Sequence, residues 1–271
     1  MGDMIYLTVF FSYFFNKLII PLVEELYTNS GFLKKNYKGA LIPNSMGIIF
    51  IFNMLFVSLF ILIFIIRINY TEIYIFLLGT LVMGITGLLD DFIGNNDIKG
   101  FKGHISMLLK LKLTTGGIKA IFGGVVAILI SLTISSNFLN FLTNILVISL
   151  FTNFINLVDL RPGRALKVFF VFSMPLLFFV NGIYRIILLS FIGAASAYFS
   201  HDIKGRSMLG DVGSNCLGII LGIIATSLEF NIKTLLIIFL ILANLYSEIY
   251  SFTKLINKNK ILNFFDELGR G

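Results

Sequence analysis

The sequence predicts an all-α integral membrane protein, a polytopic bundle of about nine transmembrane helices. Composition is the first reason: of 271 residues, 57% are hydrophobic and only 13% are charged, a balance that water-soluble domains do not show. Apolar stretches of bilayer-spanning length also recur along the whole chain. In addition, Lys and Arg are concentrated in every second connection between these stretches, as the orientation of membrane helices requires.

The apolar stretches follow one another with few interruptions. They cover residues 4–23, 47–66, 73–89, 116–134, 138–158, 165–181, 183–200, 214–228 and 234–250. No internal repeat or linker separates them, so we expect one membrane domain over 1–250 and a polar cytoplasmic tail over 251–271. The first stretch lacks a basic leader and a small-residue cleavage site, and we expect a retained helix rather than a signal peptide. Cys216 is expected to be a buried core residue.

The positive charge predicts the orientation of the chain. Seventeen of the 21 Lys and Arg residues fall in one of two alternating sets of connections, which comprises 24–46, 90–119, 159–167, 200–213 and 251–271. Because basic loops stay in the cytoplasm, the N-terminus is expected outside and the C-terminus inside the cell membrane. The basic residues are not interleaved with aromatic residues, so the net charge of +7 does not indicate a nucleic-acid partner.

Three short polar stretches adjoin the ends of apolar stretches, all on the predicted cytoplasmic side. They read Gly87-Leu-Leu-Asp90-Asp91-Phe-Ile-Gly94, Asn153-Phe-Ile-Asn156-Leu-Val-Asp159 and Gly210-Asp211-Val-Gly213-Ser-Asn215. Ionisable groups beside membrane segments are costly and are therefore candidate functional residues. His201-Asp202 is a secondary candidate near Asp211.

Each stretch allows a functional and a structural interpretation. Asp90 and Asp91 add negative charge to the negative end of a helix dipole, and a divalent cation or a shared proton would relieve the resulting repulsion. Alternatively, they are two solvated acids at a helix end. Asn153, Asn156 and Asp159 share one helix face that could bind a sugar, a base or a hydrated metal, or could bond to a neighbouring helix.

The third stretch precedes a predicted helix. Its glycines permit close approach of a ligand, and Ser214 could cap the helix. Asp211 beside a helix N-terminus suits a phosphate together with Mg²⁺, although a plain capped turn would have the same residues. Basic residues on the same side favour phosphate esters as ligands; they are Lys34, Lys35, Lys38, Lys99, Lys102, Lys110, Lys112, Arg161, Arg164, Lys167, Lys204 and Arg206.

Four stretches taken together resemble motifs of a known family. They are Lys38-Gly39-Ala-Leu-Ile-Pro43-Asn-Ser-Met-Gly47, Leu89-Asp90-Asp91, Asn153 to Asp159, and Met208-Leu-Gly-Asp211-Val-Gly213-Ser214. In order, spacing and membrane side they resemble the polyprenyl-phosphate N-acetylhexosamine-1-phosphate transferases of glycosyltransferase family 4. That family includes phospho-N-acetylmuramoyl-pentapeptide transferase and the enzymes that begin teichoic-acid and O-antigen synthesis.

The resemblance implies transfer of a sugar 1-phosphate from a UDP-sugar to polyprenyl phosphate, with release of UMP, in wall or surface-polymer synthesis. It implies Mg²⁺, with Mn²⁺ as an alternative, bound by Asp211, Asn156 and Asp159. The implied catalytic residues are Asp90, Asp91 and Asp211, with Asp90 acting on the lipid phosphate. The implied substrate-binding residues are Asn153, Asn156, Asp159, Arg161, Arg164, Lys38, Gly213 and Ser214. The implied partners are the lipid phosphate, the UDP-sugar and membrane lipids, with a homodimer as one arrangement.

The chain also departs from the family pattern. Asp159 is followed by Leu160-Arg161-Pro162-Gly163-Arg164 instead of Gly-Leu-Asp-Gly, Gly94 stands where some members have Lys, and the His-rich final loop and last span are absent. Arg161 and Arg164 are therefore predicted to contact the donor phosphates, because Arg suits bidentate binding of phosphate. The lost loop favours a small UDP-N-acetylhexosamine over the pentapeptide donor.

Two other functions fit the same composition. A transporter or flippase would also carry acids among membrane helices, but near mid-bilayer on broken helices. A relative that binds lipid phosphate without turnover would explain the departures. The five polar residues of the motifs, Asp90, Asp91, Asn156, Asp159 and Asp211, favour an active transferase.

Overall fold

The computed structural model of the protein describes residues 2–65, 69–94 and 114–270. Within these ranges the chain forms eleven helices and one two-stranded antiparallel sheet. In chain order these elements are α1 Gly2–Asn29, β1 Leu33–Lys35, β2 Leu41–Pro43, α2 Ile48–Phe64, α3 Tyr70–Ile93, α4 Thr115–Ile134, α5 Phe138–Val158, α6 Arg164–Leu176, α7 Gly182–Ile203, α8 Gly210–Ala225, α9 Phe230–Ile249, α10 Phe252–Lys258 and α11 Lys260–Glu267.

The predicted membrane class is confirmed. Six helices of the described chain, α1, α3, α4, α5, α7 and α9, are long and apolar enough to cross a bilayer. Two more, α2 and α8, are apolar but shorter, and α6 has 13 residues. Each of the nine predicted stretches thus contains one helix, whereas nine crossings and their orientation stay predictions.

Several helix boundaries differ from the predicted ones. Helix α1 continues past residue 23 to Asn29 through Pro21, whose missing N–H removes a single backbone hydrogen bond. Helix α6 ends at Leu176, five residues before the predicted end and directly after Pro175. Helix α8 begins at Gly210, not at Ser214, because residues 210–213 pack against α2 and α3 in helical form.

Helix α8 forms the centre of the bundle. Its residues from Val212 to Ala225 are all buried, and it packs between α3 and α5. A Cβ atom at Gly218 would lie 2.6 Å from the Thr152 Cα, and one at Gly222 would lie 2.8 Å from the Ile148 Cα. The two glycines, spaced by four, therefore let α8 and α5 approach closely, as small residues do in membrane helix pairs.

The small sheet joins the first polar loop to the start of α8. Leu33 pairs with Pro43 and Lys35 with Leu41 across the two strands. The Pro43 carbonyl accepts a hydrogen bond from the Met208 N–H at 2.8 Å, and the Met46 N–H donates to the Met208 carbonyl at 3.0 Å. The loop is consequently held at the same end of the bundle as Asp211.

The segment after α9 is ordered as two short helices. Residues 251–271 were predicted to be a polar tail, and α10 and α11 occupy most of it. They follow α9 after two residues, and they return to the N-terminus of α6 through Arg164 and Asp266. This segment therefore lies at the same end of the bundle as the polar stretches.

Candidate active site

The three polar stretches meet at one end of the bundle. Gly87, in the last turns of α3, faces the first turn of α8: a Cβ atom there would lie 2.5 Å from the Asp211 carbonyl oxygen. Gly213 is equally close to Gly47 at the start of α2, where a Cβ atom on Gly47 would overlap the Gly213 Cα. These close approaches place the start of α8 directly against Asp90 and Asp91.

Asp211 occupies the first turn of α8 and has a lysine partner. The Nζ of Lys119, on α4, lies 2.9 Å from the Asp211 Oδ2, with the two side chains 13% and 33% exposed. Asp90 interacts with the Asp211 carboxyl through a side-chain hydrogen bond and also with Thr115. Two acids and one lysine from three helices therefore share a partly open space.

Asp91 connects three elements. Its Oδ2 accepts a hydrogen bond from the Ser45 Oγ at 2.7 Å and another from the Val212 N–H at 3.3 Å. Ser45 is the non-glycine residue with positive φ in the described chain, at 60°, a backbone conformation that is costly and concentrated at functional sites. Asp91 thus positions the loop and α8 on α3, whereas Asp90 faces Asp211.

Asn156 is coupled to α8 through Ser214. The Ser214 Oγ donates to the Asn156 Oδ1 at 2.9 Å and also lies 3.3 Å from the Asp211 carbonyl oxygen. Because α8 already begins at Gly210, the predicted cap at Ser214 is wrong. Ser214 is fully buried, and its predicted substrate contact stays a prediction. Ser214 instead connects α5 to the turn that carries Asp211. Gly213 is buried against Gly47 and has a packing role there, and its predicted substrate contact stays a prediction.

Asn153 does not join the cluster. Its side chain is exposed and donates to the Asn244 Oδ1 of α9 at 2.6 Å. Asn244 in turn bonds to the Leu240 carbonyl at 2.8 Å. The predicted face shared by Asn153 and Asn156 is therefore corrected: although three residues apart, they turn to different neighbouring helices, and Asn153 makes a helix–helix contact.

Asp159 ends α5 beyond its membrane-spanning part. Burial raises the pKa of this carboxyl well above its usual range, and the negative charges of Asp202, Asp211 and Asp91 raise it further. Lys119 opposes the shift. The electrostatic coupling shows that Asp159 belongs to the same acidic end as Asp211 and Asp91.

Arg164 has partners within the protein. It is 3% exposed, and its Nε and Nη2 donate to the Asp266 carboxylate of α11 at 2.7 and 2.8 Å. Its Nη1 donates to the Thr253 Oγ1 at 3.0 Å. This guanidinium therefore holds the C-terminal helices, and the contact of Arg164 with the donor phosphates stays a prediction.

Arg161 and Lys38 approach one aromatic ring. The Arg161 Cζ lies 5.8 Å and the Lys38 Nζ 5.5 Å from the centroid of the exposed Tyr37 ring, distances typical of cation–π contacts. Tyr37 and Arg161 line an open pocket of about 370 Å³. Its other lining residues are Arg164, Asn257, Asp266, Glu267 and Arg270. Arg161 and Lys38 thus meet at the surface around Tyr37.

His201 and Asp202 hold structural contacts. The His201 Nδ1 lies 2.8 Å from the Glu24 Oε1, which also accepts from the Ser207 Oγ at 2.8 Å. The Asp202 Oδ2 accepts from the Gly163 N–H at 2.8 Å. The pair fastens α7 to α1 and to the loop after Asp159. The predicted basic residues Lys99, Lys102, Lys110 and Lys112 lie outside the described residues.

Lys119, Ser45 and Tyr37 were not singled out as site residues. Lys119 stands at the start of an apolar stretch and counts among the basic residues of the loop before it. Such a position indicates how the chain is oriented in the membrane and does not mark a residue as part of a site. Tyr37 precedes the family-like motif in the first loop, and Ser45 lies within that motif. Their contacts join residues far apart in the chain, 46 residues for Ser45 and Asp91, so no local pattern identifies them.

The oxygen ligands suit a hard divalent cation. Among the described residues, no group of three or more His, Cys, Asp or Glu side chains is arranged to hold a metal ion without other ligands. Mg²⁺ is commonly bound by one or two carboxylates, with substrate phosphates and water completing the shell. Asp211 and Asp159, which interact electrostatically, supply such carboxylates, and the Lys119 ammonium beside Asp211 shows that this position favours a positive charge. The residues present therefore fit Mg²⁺ bound together with a phosphate ligand.

The sequence model of one family matches this chain. The family is described as Glycosyl transferase family 4, and the match covers residues 73–229, which include Asp90, Asp91, Lys119, Asp159 and Asp211. No curated protein matches the chain. Because the match spans more than half of the 271 residues and contains the clustered acids, the chain belongs to glycosyl transferase family 4.

Proposed function

We propose that the protein transfers a sugar 1-phosphate, N-acetylhexosamine 1-phosphate, from a UDP-sugar to polyprenyl phosphate and releases UMP. The observation that supports this most directly is the cluster of Asp90, Asp211 and Lys119 at the ends of three membrane helices. Acids that bind a divalent cation and a lysine that binds phosphate are the groups that phosphoryl transfer needs. Their place at the rim of the bundle gives access to a lipid phosphate and to a water-soluble nucleotide.

In the proposed reaction, an oxygen of the lipid phosphate attacks the β-phosphorus of the UDP-sugar. The bond from that phosphorus to the oxygen shared with the α-phosphorus breaks, and UMP leaves with this oxygen. Asp90 orients the lipid phosphate and accepts its proton if it arrives protonated. Lys119, 2.9 Å from Asp211, contacts the diphosphate and stabilises the charge that develops on it.

Mg²⁺, with Mn²⁺ as the alternative, would be held by Asp211 with Asn156 and Asp159 nearby, and would neutralise charge on the diphosphate. Ser214 keeps Asn156 in place through its 2.9 Å hydrogen bond. Asp91 keeps the first loop and α8 on α3. Arg161 and Lys38, at the surface around Tyr37, provide the positive charge that draws the donor in.

The proposed location is the cell membrane, with the site facing the cytoplasm. Seventeen of the 21 Lys and Arg residues belong, in the sequence, to the set of connections that carries the polar stretches, which is the distribution expected for the cytoplasmic side. UDP-sugars and the phosphate of a membrane lipid would meet there. The product would be a lipid-linked sugar diphosphate that begins a wall or surface polymer.

The test uses purified protein in detergent with undecaprenyl phosphate and a panel of UDP-sugars. We expect UMP release with Mg²⁺, none with EDTA, recovery when Mg²⁺ or Mn²⁺ is added back, and at least about a 10²-fold loss in Asp211→Asn. Glu229→Gln is the matched control, because it removes an exposed carboxylate next to α9 at the far end of α8.

Two outcomes would contradict the proposal. If folded protein releases no UMP from any donor but retains polyprenyl phosphate, it is a lipid-phosphate-binding relative without turnover. If it instead moves a lipid or an ion across vesicles, transport is the function. Equal activity in Asp211→Asn and Glu229→Gln would reject the assigned site even if the reaction occurs.

A further inference from the structure

Helix α11 turns an apolar stripe away from the protein. The i, i+3, i+4, i+7 spacing that places side chains on one helix face holds for Ile261, Phe264 and Phe265 of α11 and for Leu268, the residue directly after it. These four side chains are 69%, 62%, 59% and 54% exposed. A stripe of this kind would be unfavourable in water, so it needs an apolar surrounding.

The opposite face of α11 binds the protein. Asp266 is 7% exposed and receives the bidentate hydrogen bonds of Arg164. Lys167 donates from its Nζ to the carbonyl oxygens of Phe265 and Asp266 at 2.9 and 2.7 Å. A helix of a water-soluble protein packs its apolar face inward, and α11 does the reverse.

The position and charge of the segment indicate what covers the stripe. Helix α9, a bilayer-length helix, ends at Ile249, and the two short helices that follow begin at Phe252 and Lys260. Ile249 and Tyr250 are 73% and 60% exposed. Exposed basic residues accompany the stripe, namely Lys254, Lys258 and Lys260. Apolar side chains flanked by lysines at the end of a membrane helix complement an anionic lipid surface.

We propose that α11 lies in the surface of the bilayer, in the leaflet on the site's side, as an in-plane anchor. Its apolar stripe enters the boundary between head groups and acyl chains, and the lysines contact anionic head groups. An isolated helix of eight residues would be marginal, so the Arg164–Asp266 pair holds α11 in helical form at this depth. The proposal does not depend on the reaction that the protein catalyses.

The anchor also connects the bilayer surface to the site. Arg270, after α11, donates to the Pro162 carbonyl at 3.1 and 3.0 Å and to Asp266 at 3.0 and 3.1 Å. Pro162 lies between Asp159 and Arg164 in the loop beside the acidic cluster. Lipid contact at α11 therefore supports the loop that follows Asp159.

Site-directed fluorescence on the full chain in phosphatidylcholine–phosphatidylglycerol vesicles tests the anchor. An environment-sensitive probe is attached in Phe264→Cys and, separately, in Glu267→Cys, which lines the polar pocket. Cys216 is fully buried and does not compete for the label. Leu268→Cys provides a second position on the stripe if the first variant folds poorly.

We expect blue-shifted emission from the probes at 264 and 268, with quenching by brominated lipids and little quenching by aqueous iodide. The probe at 267 should behave in the opposite way. Iodide quenching at all three positions would overturn the proposal, because the stripe would then face water. Emission at 264 that neither agent quenches, with energy transfer between labelled copies, would overturn it in favour of a second copy of the chain.

Discussion

The Nζ of Lys119 lies 2.9 Å from the Oδ2 of Asp211, although 92 residues separate them in the chain. Lys119 stands in the second turn of α4, and Asp211 stands in the first turn of α8. The pair is partly open to solvent, at 13% and 33% side-chain exposure, so it can exchange partners when an anionic ligand arrives. This is the contact on which the proposed chemistry depends most.

Lys119→Ala should lower the rate of UMP release by about 10²-fold, because the phosphate loses a positioned cation. Lys119→Arg should retain part of the activity, since the charge remains although its geometry changes. The measurement is kcat with saturating donor, together with the melting temperature of each variant. A Lys119→Ala enzyme with full kcat would show that the lysine only neutralises Asp211.

Asn156→Ala and Asn153→Ala distinguish the site predicted from the sequence pattern from the site seen in the structure. The pattern of spacing predicts that both lose activity, whereas the structure places only Asn156 beside Ser214 and Asp211. We expect Asn156→Ala to weaken the apparent Mg²⁺ affinity by roughly 10- to 100-fold and Asn153→Ala to change it within about twofold. Metal titrations of UMP release measure both, and comparable losses in the two variants would favour the shared face.

Gly87→Ala should disturb the packing of α3 against α8. The added Cβ would lie 2.5 Å from the Asp211 carbonyl oxygen, and overpacking of this kind costs about 1–3 kcal/mol. We expect a lower melting temperature and a loss of activity, because Asp211 moves. Gly124→Ala, on α4, is the control, since its Cβ would meet no atom within 4 Å. Equal melting temperatures of the two variants would contradict this account.

The pair of Asp266 and Arg164 predicts a pH-dependent contribution to stability. Burial opposes the ionised carboxylate, but the hydrogen bonds from Arg164 and Arg270 outweigh it and lower the pKa of Asp266 from 3.8 to about 2. A carboxyl whose pKa is depressed on folding stabilises the protein above its unfolded pKa. The shift corresponds to about 2 kcal/mol, present above about pH 4 and lost as the pH falls towards 2.

Asp266→Asn should therefore be less stable than the parent protein at pH 6, and the difference should shrink as the pH is lowered below about 4. Thermal melts in detergent, followed by circular dichroism, measure the difference at each pH. Taking the difference between the two proteins removes the titration of the other carboxyls. A difference that stays constant down to pH 3 would show that the charge of Asp266 does not contribute.

The membrane class and the three polar stretches could be predicted because hydropathy and short motifs are properties of consecutive residues. The same holds for the family, since Asp90, Asp91 and Asp211 occur within local patterns. Helix ends were less predictable: Ser214 looked like a cap, but α8 starts at Gly210 because the preceding turn packs against Gly47 and Gly87.

By itself, the sequence determined that this chain is a membrane protein of glycosyl transferase family 4 with acids at helix ends. Only the tertiary structure decided which side chains meet. It paired Lys119 with Asp211, turned Asn153 to Asn244, and bound Arg164 to Asp266 across 102 residues. The physical reason is that helix packing decides which side chains meet. Helices α3, α5 and α8 approach one another closely, and the contacts that result are not encoded by any local spacing in the sequence.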